Sequence, residues 1–317
     1  MMAAPLSLGF LVAFIAAALI GYAVQRGATC LVAAVDEVVT KRKAKRLIAL
    51  GEAAIWVAGG MLLLHLAGLM AMPSRGIALS TRTMVGGVLL GVGAVINGAC
   101  VFGAVARIGS GDWAYWLTPV GFVLGCYGVA ALGMHLPPAE LTAPSALLPW
   151  AFWIAIPIIA FAAWRGSQLV RAGIRGELAR FVWHPHQATA LIGVSYVVML
   201  PLVGAWAYTD ALADLATGRT TGLALRLALL VALLLGAMLG GWTAGRLRWV
   251  RPKPVTMARC FTGGLLLGLG GLVVPGSNDG LILFAMPLLF PYAWAAVGSM
   301  AVSIWLLLAL KQRLAAR

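Results

Sequence analysis

The segment Gly86 to Gly103, GGVLLGVGAVINGACVFG, is apolar enough for a bilayer yet breaks its own helical pattern at Asn97, Gly98 and Cys100. Hydrocarbon offers no hydrogen bonds, so a backbone interrupted at that depth must be buried in protein or line a polar cavity. A near-copy begins 177 positions later, Gly263 to Gly280, GGLLLGLGGLVVPGSNDG. It aligns Gly86, Gly87, Gly91, Gly93 and Gly103 with Gly263, Gly264, Gly268, Gly270 and Gly280, and sets Cys100 opposite Ser277.

The rest of the chain confirms the solvent. Of 317 residues 62% are hydrophobic and 10% charged, whereas water-soluble domains carry about a quarter charged residues. The net charge of +14 comes from short Lys and Arg clusters between apolar runs. This is the positive-inside pattern of a polytopic membrane protein and not a nucleic-acid surface. The first apolar run, Leu6 to Val24, has no Lys or Arg before it and reads as a retained membrane segment.

Charge also sets the direction of each crossing. Lys41, Arg42, Lys43, Lys45 and Arg46 mark the cytoplasmic side, and Leu47 to Met70 leads outward to a turn at Pro73. The first broken segment then runs inward to Arg107, and Ala114 to Met134 returns outward to the Pro-rich loop Leu136 to Pro149. Trp150 to Trp164 leads back to Arg165, Arg171, Arg175 and Arg180, a stretch that reads as an interfacial helix. Gln187 to Tyr208 crosses out to Asp210 and Asp214, and Gly222 to Ala244 crosses in to Arg246, Arg248 and Arg259. The second broken segment runs outward, and Trp294 to Leu310 ends inside at Lys311, Arg313 and Arg317.

The two copies therefore have opposite orientations. The predicted fold is an all-α polytopic membrane protein, an inverted repeat with short broken or re-entrant helices meeting near the midplane. The expected division is 1–164, a first membrane repeat; 165–186, a basic connector; and 187–317, a second repeat. Glycines four apart, such as Gly87 with Gly91 and Gly264 with Gly268, are the pattern that lets helix backbones approach closely in lipid.

Chemistry is expected at the breaks. Cys30, Cys100 and Ser277 each fall where one helix stops and another starts, so S–H, O–H and half-helix N–H groups could replace the hydration of a small anion. Asn97 and Asn278 flank these points. Gln25 and Arg26 stand at the end of the first span, where they could draw an anion. Asp279 would repel one unless it is protonated, paired with Arg259 or Arg26, or facing outer water; as an intramembrane ionisable group it could instead couple protons. Cys126 and Cys260 read as packing residues. His184 and His186, two apart, lie on different helix faces, and the four cysteines show no metal-binding spacing. Neither a metal nor another cofactor is expected, and no nucleotide-binding or hydrolase motif appears.

QRGATC at Gln25 to Cys30, NGACVFG at Asn97 to Gly103 and GLG with PGSNDG between Gly268 and Gly280 resemble the motifs of the YeeE/YedE family of inorganic-sulfur transporters. The resemblance implies a bacterial inner-membrane protein of hourglass shape that takes thiosulfate inward along a line of cysteines on short helices. Cys30 and Cys100 match the first two positions of that line, and Ser277 stands where the family usually has the third cysteine. The expected function is a permease for a small sulfur-containing anion, multi-pass in the membrane, with a cytoplasmic C-terminus and membrane lipid around it. The rival is a sulfur-relay component that takes persulfide sulfur from a soluble sulfurtransferase-like partner at the cytoplasmic face.

Overall fold

In the computed structural model, described over residues 7–27, 30–70, 76–131, 140–142, 145–176, 183–274 and 276–315, long helices stop at the sequence breaks and restart as short ones. The first half contains α1 (Leu8–Gly27), α2 (Leu31–Lys41), α3 (Lys45–Leu66), α4 (Thr81–Asn97), α5 (Val101–Gly109) and α6 (Leu117–Ala131). A seventh helix follows, α7 (Ala151–Ile174). The second half contains α8 (Pro185–Val203), α9 (Tyr208–Thr217), α10 (Leu223–Thr243), α11 (Pro254–Val273), α12 (Asn278–Gly280, widening into a π-turn over Leu281–Ala285) and α13 (Pro291–Ala315). Eight helical stretches among the described residues are long and apolar enough to cross a membrane. The turn at Pro73, residues Ala28, Thr29, His135, Pro275, Arg180 and Arg317, and much of the loop 136–149 lie outside the described residues.

The 177-residue offset read from two glycine segments holds along the whole chain. It carries α1 onto α8, α2 onto α9, α3 onto α10, α4 onto α11, α5 onto α12 and α6 onto α13. Contacts obey the same exchange: α1 lies on α10 as α8 lies on α3, and α6 lies on α11 as α13 lies on α4. The equivalent helices α4 and α11 are antiparallel neighbours. Gly86 of α4 meets Gly270 of α11 while Gly93 meets Gly263, so sequence runs up one helix and down the other. An inverted two-fold demands this arrangement, and it agrees with the opposite orientations inferred from charge.

Glycine makes these crossings possible. A Cβ added at Gly264 or Gly268 would fall on the Thr118 or Phe122 carbonyl of α6, and one at Gly87 would fall on the Ala296 carbonyl of α13. Lipid tails are as apolar as the helices, so close backbone approach supplies the packing that a hydrophobic drive supplies in water. Large apolar side chains turn outward instead, among them Ile15, Val231, Leu235 and Trp305.

Helix α7 has no counterpart in the repeat. It runs unbroken from Ala151 to Ile174, so the expected boundary between Trp164 and Arg165 falls inside a helix. Nor does it lie along the interface. Glu52, Trp56 and Gly59 of α3 meet Arg165, Phe161 and Ile158 of α7 in antiparallel register, which keeps α7 parallel to the crossing helices. Packed in this way along α3, α7 links the two halves at the point where the direction of the repeat reverses. Sequence reasoning took Arg165 for the start of an interfacial segment because a charge usually ends a span. Here Glu52, 7% exposed in its side chain, neutralises Arg165 at 2.8 Å and also bonds His186, tying α7 to α3 and α8. Outside the spans, His184 stacks on His186 with ring centroids 5.0 Å apart, and burial with the neighbouring His186 pushes its pKa below the usual range.

Candidate functional site

The repeat places four helix junctions around the centre, and each begins a short helix: Cys30 before α2, Cys100 before α5, Ala207 before α9 and Ser277 before α12. Helices α2 and α5 run toward the basic end, where Lys41 closes α2 and Ser110, just after α5, accepts the Arg248 N–H. By the two-fold exchange, α9 and α12 run toward the opposite end. The two sets of N-termini therefore face each other across the middle.

At the inner pair the thiols touch. The Cys100 backbone N–H donates to Cys30 Sγ at 3.3 Å, and both residues are buried. Each carbonyl accepts the first turn of its own helix, from Ala34 at 2.9 Å and from Ala104 at 2.8 Å. Space for the Cys30 thiol comes from Gly103, where a Cβ would collide with Sγ. The break ahead of Cys100 depends on Gly98, whose φ of 79° is left-handed and suits glycine. Asn97 locks this turn by donating to the Ala99 carbonyl at 2.7 Å and accepting from Thr118 Oγ1 at 2.8 Å. Both ends of its amide are thus committed to the protein, which makes Asn97 a brace of the junction.

Hydroxyls and carboxylates build the outer pair. Ser277 Oγ lies 2.7 Å from Asp279 Oδ1 and 3.3 Å from Asp210 Oδ1, and Thr209 Oγ1 bonds both Ser277 and Asp279. The Thr209 N–H also points at Asp279 Oδ2, 3.4 Å away. Asn278 is fully buried and neither atom of its amide has a hydrogen-bond partner among the described residues. The two pairs are joined by Tyr208, which starts α9 and donates its hydroxyl to the Val101 carbonyl of α5 at 2.7 Å.

Below the thiols, at the basic end, Gln25 Nε2 donates to Ser110 Oγ at 3.3 Å. Arg26 donates to Tyr22 OH at 2.9 Å and to Thr243 Oγ1 at 2.8 Å. Both side chains are buried. Arg26 is thus fixed to hydroxyls of α1 and α10, while Arg259 Nε donates to the Ile96 carbonyl at 3.1 Å. Neither arginine pairs with Asp279, and Asp279 does not face open water, which removes two of the three states expected for it. Cys126 donates to the Gly268 carbonyl at 3.4 Å within a helix crossing, and Cys260 is buried in α11; neither begins a short helix.

Sequence reasoning found Cys30, Cys100 and Ser277 and missed the fourth junction. It drew one span from Gln187 to Tyr208 and left Asp210 in outer water, whereas α8 stops at Val203 and Tyr208 to Thr217 turns back as α9. The missed signal was the repeat offset itself, which sets Ala207 opposite Cys30. Tyr208, Thr209 and Asp210 are the junction residues that this hid.

An all-helical membrane protein with an inverted repeat, broken helices and polar junctions at its centre has the architecture of a secondary transporter. A family model described as sulphur transport matches residues 26–306. The chain therefore belongs to the sulphur transport family, the YeeE/YedE group that its three motifs resembled, and is a multi-pass sulfur transporter. A search of curated proteins returned no match.

Proposed function

We propose that this chain is a permease carrying thiosulfate, or a closely related sulfur oxyanion, across the bacterial inner membrane toward the end bearing the basic clusters. That end, with the C-terminus, is the cytoplasmic one. The observation that carries the reading is the contact of Cys30 and Cys100 at facing helix starts, with Tyr208 reaching in from the other half. An anion entering from the outer end meets Ser277 and Asn278 first, then Tyr208, then the two thiols, and leaves past Gln25 and Arg26. Each station offers neutral donors or helix N–H groups, which bind an anion weakly enough to let it go. The polarisable thiols suit the soft terminal sulfur of thiosulfate, and the hydroxyls suit its oxygens.

The burial of the thiols favours permeation over relay. Cys30 is 7% exposed and Cys100 2%, whereas a persulfide acceptor must meet the thiol of a soluble carrier. A sulfurtransferase-like partner at the cytoplasmic mouth fits as a consumer of the delivered anion. The reading is tested by uptake of 35S-labelled thiosulfate into proteoliposomes. Saturable uptake by the parent chain, absent from protein-free vesicles, is the expected result; sulfate taken up in preference to thiosulfate would overturn it.

A further inference from the structure

The outer junction is short of hydrogens. Four oxygens converge there, Thr209 Oγ1, Ser277 Oγ, Asp279 Oδ1 and Asp210 Oδ1, and they make four contacts: Thr209 with Ser277, Thr209 with Asp279, Ser277 with Asp279, and Ser277 with Asp210. With both carboxylates ionised, only the two hydroxyl hydrogens are available, because an ionised carboxylate only accepts. Two of the four contacts would then be bare oxygen against oxygen. One added proton on a carboxyl group supplies a third hydrogen and removes one of the two negative charges.

Charge leads to the same place. Among the described residues no Lys, Arg or His makes an ion pair with Asp210 or Asp279. The nearest cation on the neighbouring helices, Arg226 of α10, is engaged by Asp214 of α9 at 2.6 Å. The other titratable groups whose fields reach the pair are Tyr196 from α8, Tyr208 and Asp214 on α9, Cys126 from α6 and Tyr292 from α13, none of which brings a positive charge. Two ionised carboxylates sharing one hydroxyl without a counter-charge, at membrane depth, are too costly to persist.

A second feature beside the acids points to a ligand. Asp279 lines a small cavity with Tyr196, Trp206 and Tyr208. The Tyr196 hydroxyl proton and the Trp206 indole N–H find no acceptor, although both residues are buried, and the Asn278 amide alongside is unpartnered as well. The cavity, about 10 Å³, has room for about one water as it stands; its unused donors are of the kind that serve an oxyanion and not a metal cation, so an anion would be seated against the carboxylates once these side chains part.

We propose that Asp210 and Asp279 hold one exchangeable proton between them through Ser277 and Thr209, and that an anion occupies the adjoining seat only when that proton is bound, so that uptake is proton-coupled. The inference rests on the sulfur-anion reading above. The proton enters from the outer end onto a carboxylate oxygen, lowers the repulsion of an anion at Trp206 and Tyr196, and leaves toward the inner side after the anion has moved to the thiols. No bond other than O–H forms or breaks.

The purified full chain in proteoliposomes, with 35S-labelled thiosulfate as probe and pyranine as internal pH reporter, tests this. An imposed gradient, acid outside, is compared with no gradient and with an inward Na+ gradient at equal pH. Stimulation by the pH gradient with acidification of the lumen on adding thiosulfate is expected in the parent. In Asp210→Asn the ratio of gradient-driven uptake to labelled-for-unlabelled exchange is expected to fall to the no-gradient level, with Asp279→Asn as the second variant. Because exchange needs no net proton movement, that ratio separates lost coupling from lost protein. Thiosulfate flux in the parent that ignores the pH gradient, or follows Na+ instead, overturns the coupling alone. Absence of flux under every gradient overturns the substrate reading and the coupling with it.

Discussion

The two halves of this chain build one scaffold and load its junctions with different chemistry. In the first half, Cys30 and Cys100 meet at their junctions, with the Cys100 backbone N–H donating to Cys30 Sγ. The second half offers Ala207 and Ser277 at the matching points and surrounds them with Thr209, Asp210 and Asp279. The scaffold needs only glycine contacts and helix breaks, and these repeat. Junction side chains are exempt from that requirement, so they can diverge, and an inverted repeat with asymmetric junctions makes the environment differ on each side of the midplane. Direction in such a transporter need not come from the fold, which is nearly symmetric; a few residues at its waist can supply it.

The largest expected effect breaks the thiol side. Cys100→Ala removes one of two touching thiols without adding bulk, and it should reduce thiosulfate uptake to background while the protein elutes as the parent does on size exclusion. Retained uptake would take Cys100 off the path. Next, Gly103→Ala puts a methyl where Cys30 Sγ sits, and overpacking of this kind costs about 1–3 kcal/mol. Displacement of the Cys30 thiol should lower uptake by at least several-fold with a smaller fall in thermal stability, both read on one detergent preparation.

Ser277→Cys makes the two sides alike. A thiol is the weaker donor and cannot serve two carboxylates as a hydroxyl does, so gradient-stimulated uptake should drop a few-fold while exchange is less affected. Equal kinetics in parent and variant would mean that the hydroxyl at this junction is incidental. The smallest effect belongs to Cys126→Ala, which removes a thiol bonded to the Gly268 carbonyl in a helix crossing. Its cost should stay near 1 kcal/mol of stability, a typical net hydrogen bond, and transport should not change. A transport defect there would show that thiols outside the junctions also matter.

Residue by residue, legibility followed polarity. Asn97, Cys100, Ser277 and Asp279 stand out in apolar surroundings, and their breaks were visible in the sequence. Ala207 has no such contrast, since Gly204, Ala205, Trp206 and Ala207 all pass for membrane residues, and the fourth junction was read through as a continuous span. Asp210 followed it into the wrong place, because a carboxylate at the end of an apolar run is usually in water. Glu52 was overlooked, and with it the reason that Arg165 can sit within a crossing helix: its counter-charge is 113 positions away in sequence.

The sequence alone determined the solvent, the helical class, the two glycine-rich copies, their opposite orientation and the family. Each of these depends on local composition, on charge at span ends or on self-similarity, all of which are written along one dimension. Only the tertiary structure decided which junctions meet, because Cys30 with Cys100 and Asp210 with Asp279 are each 69 or 70 positions apart and are brought together by packing of helices from different units. It also decided that Asp279 has a second carboxylate and no arginine beside it. That outcome depends on how a buried charge is balanced in three dimensions, which no spacing rule contains.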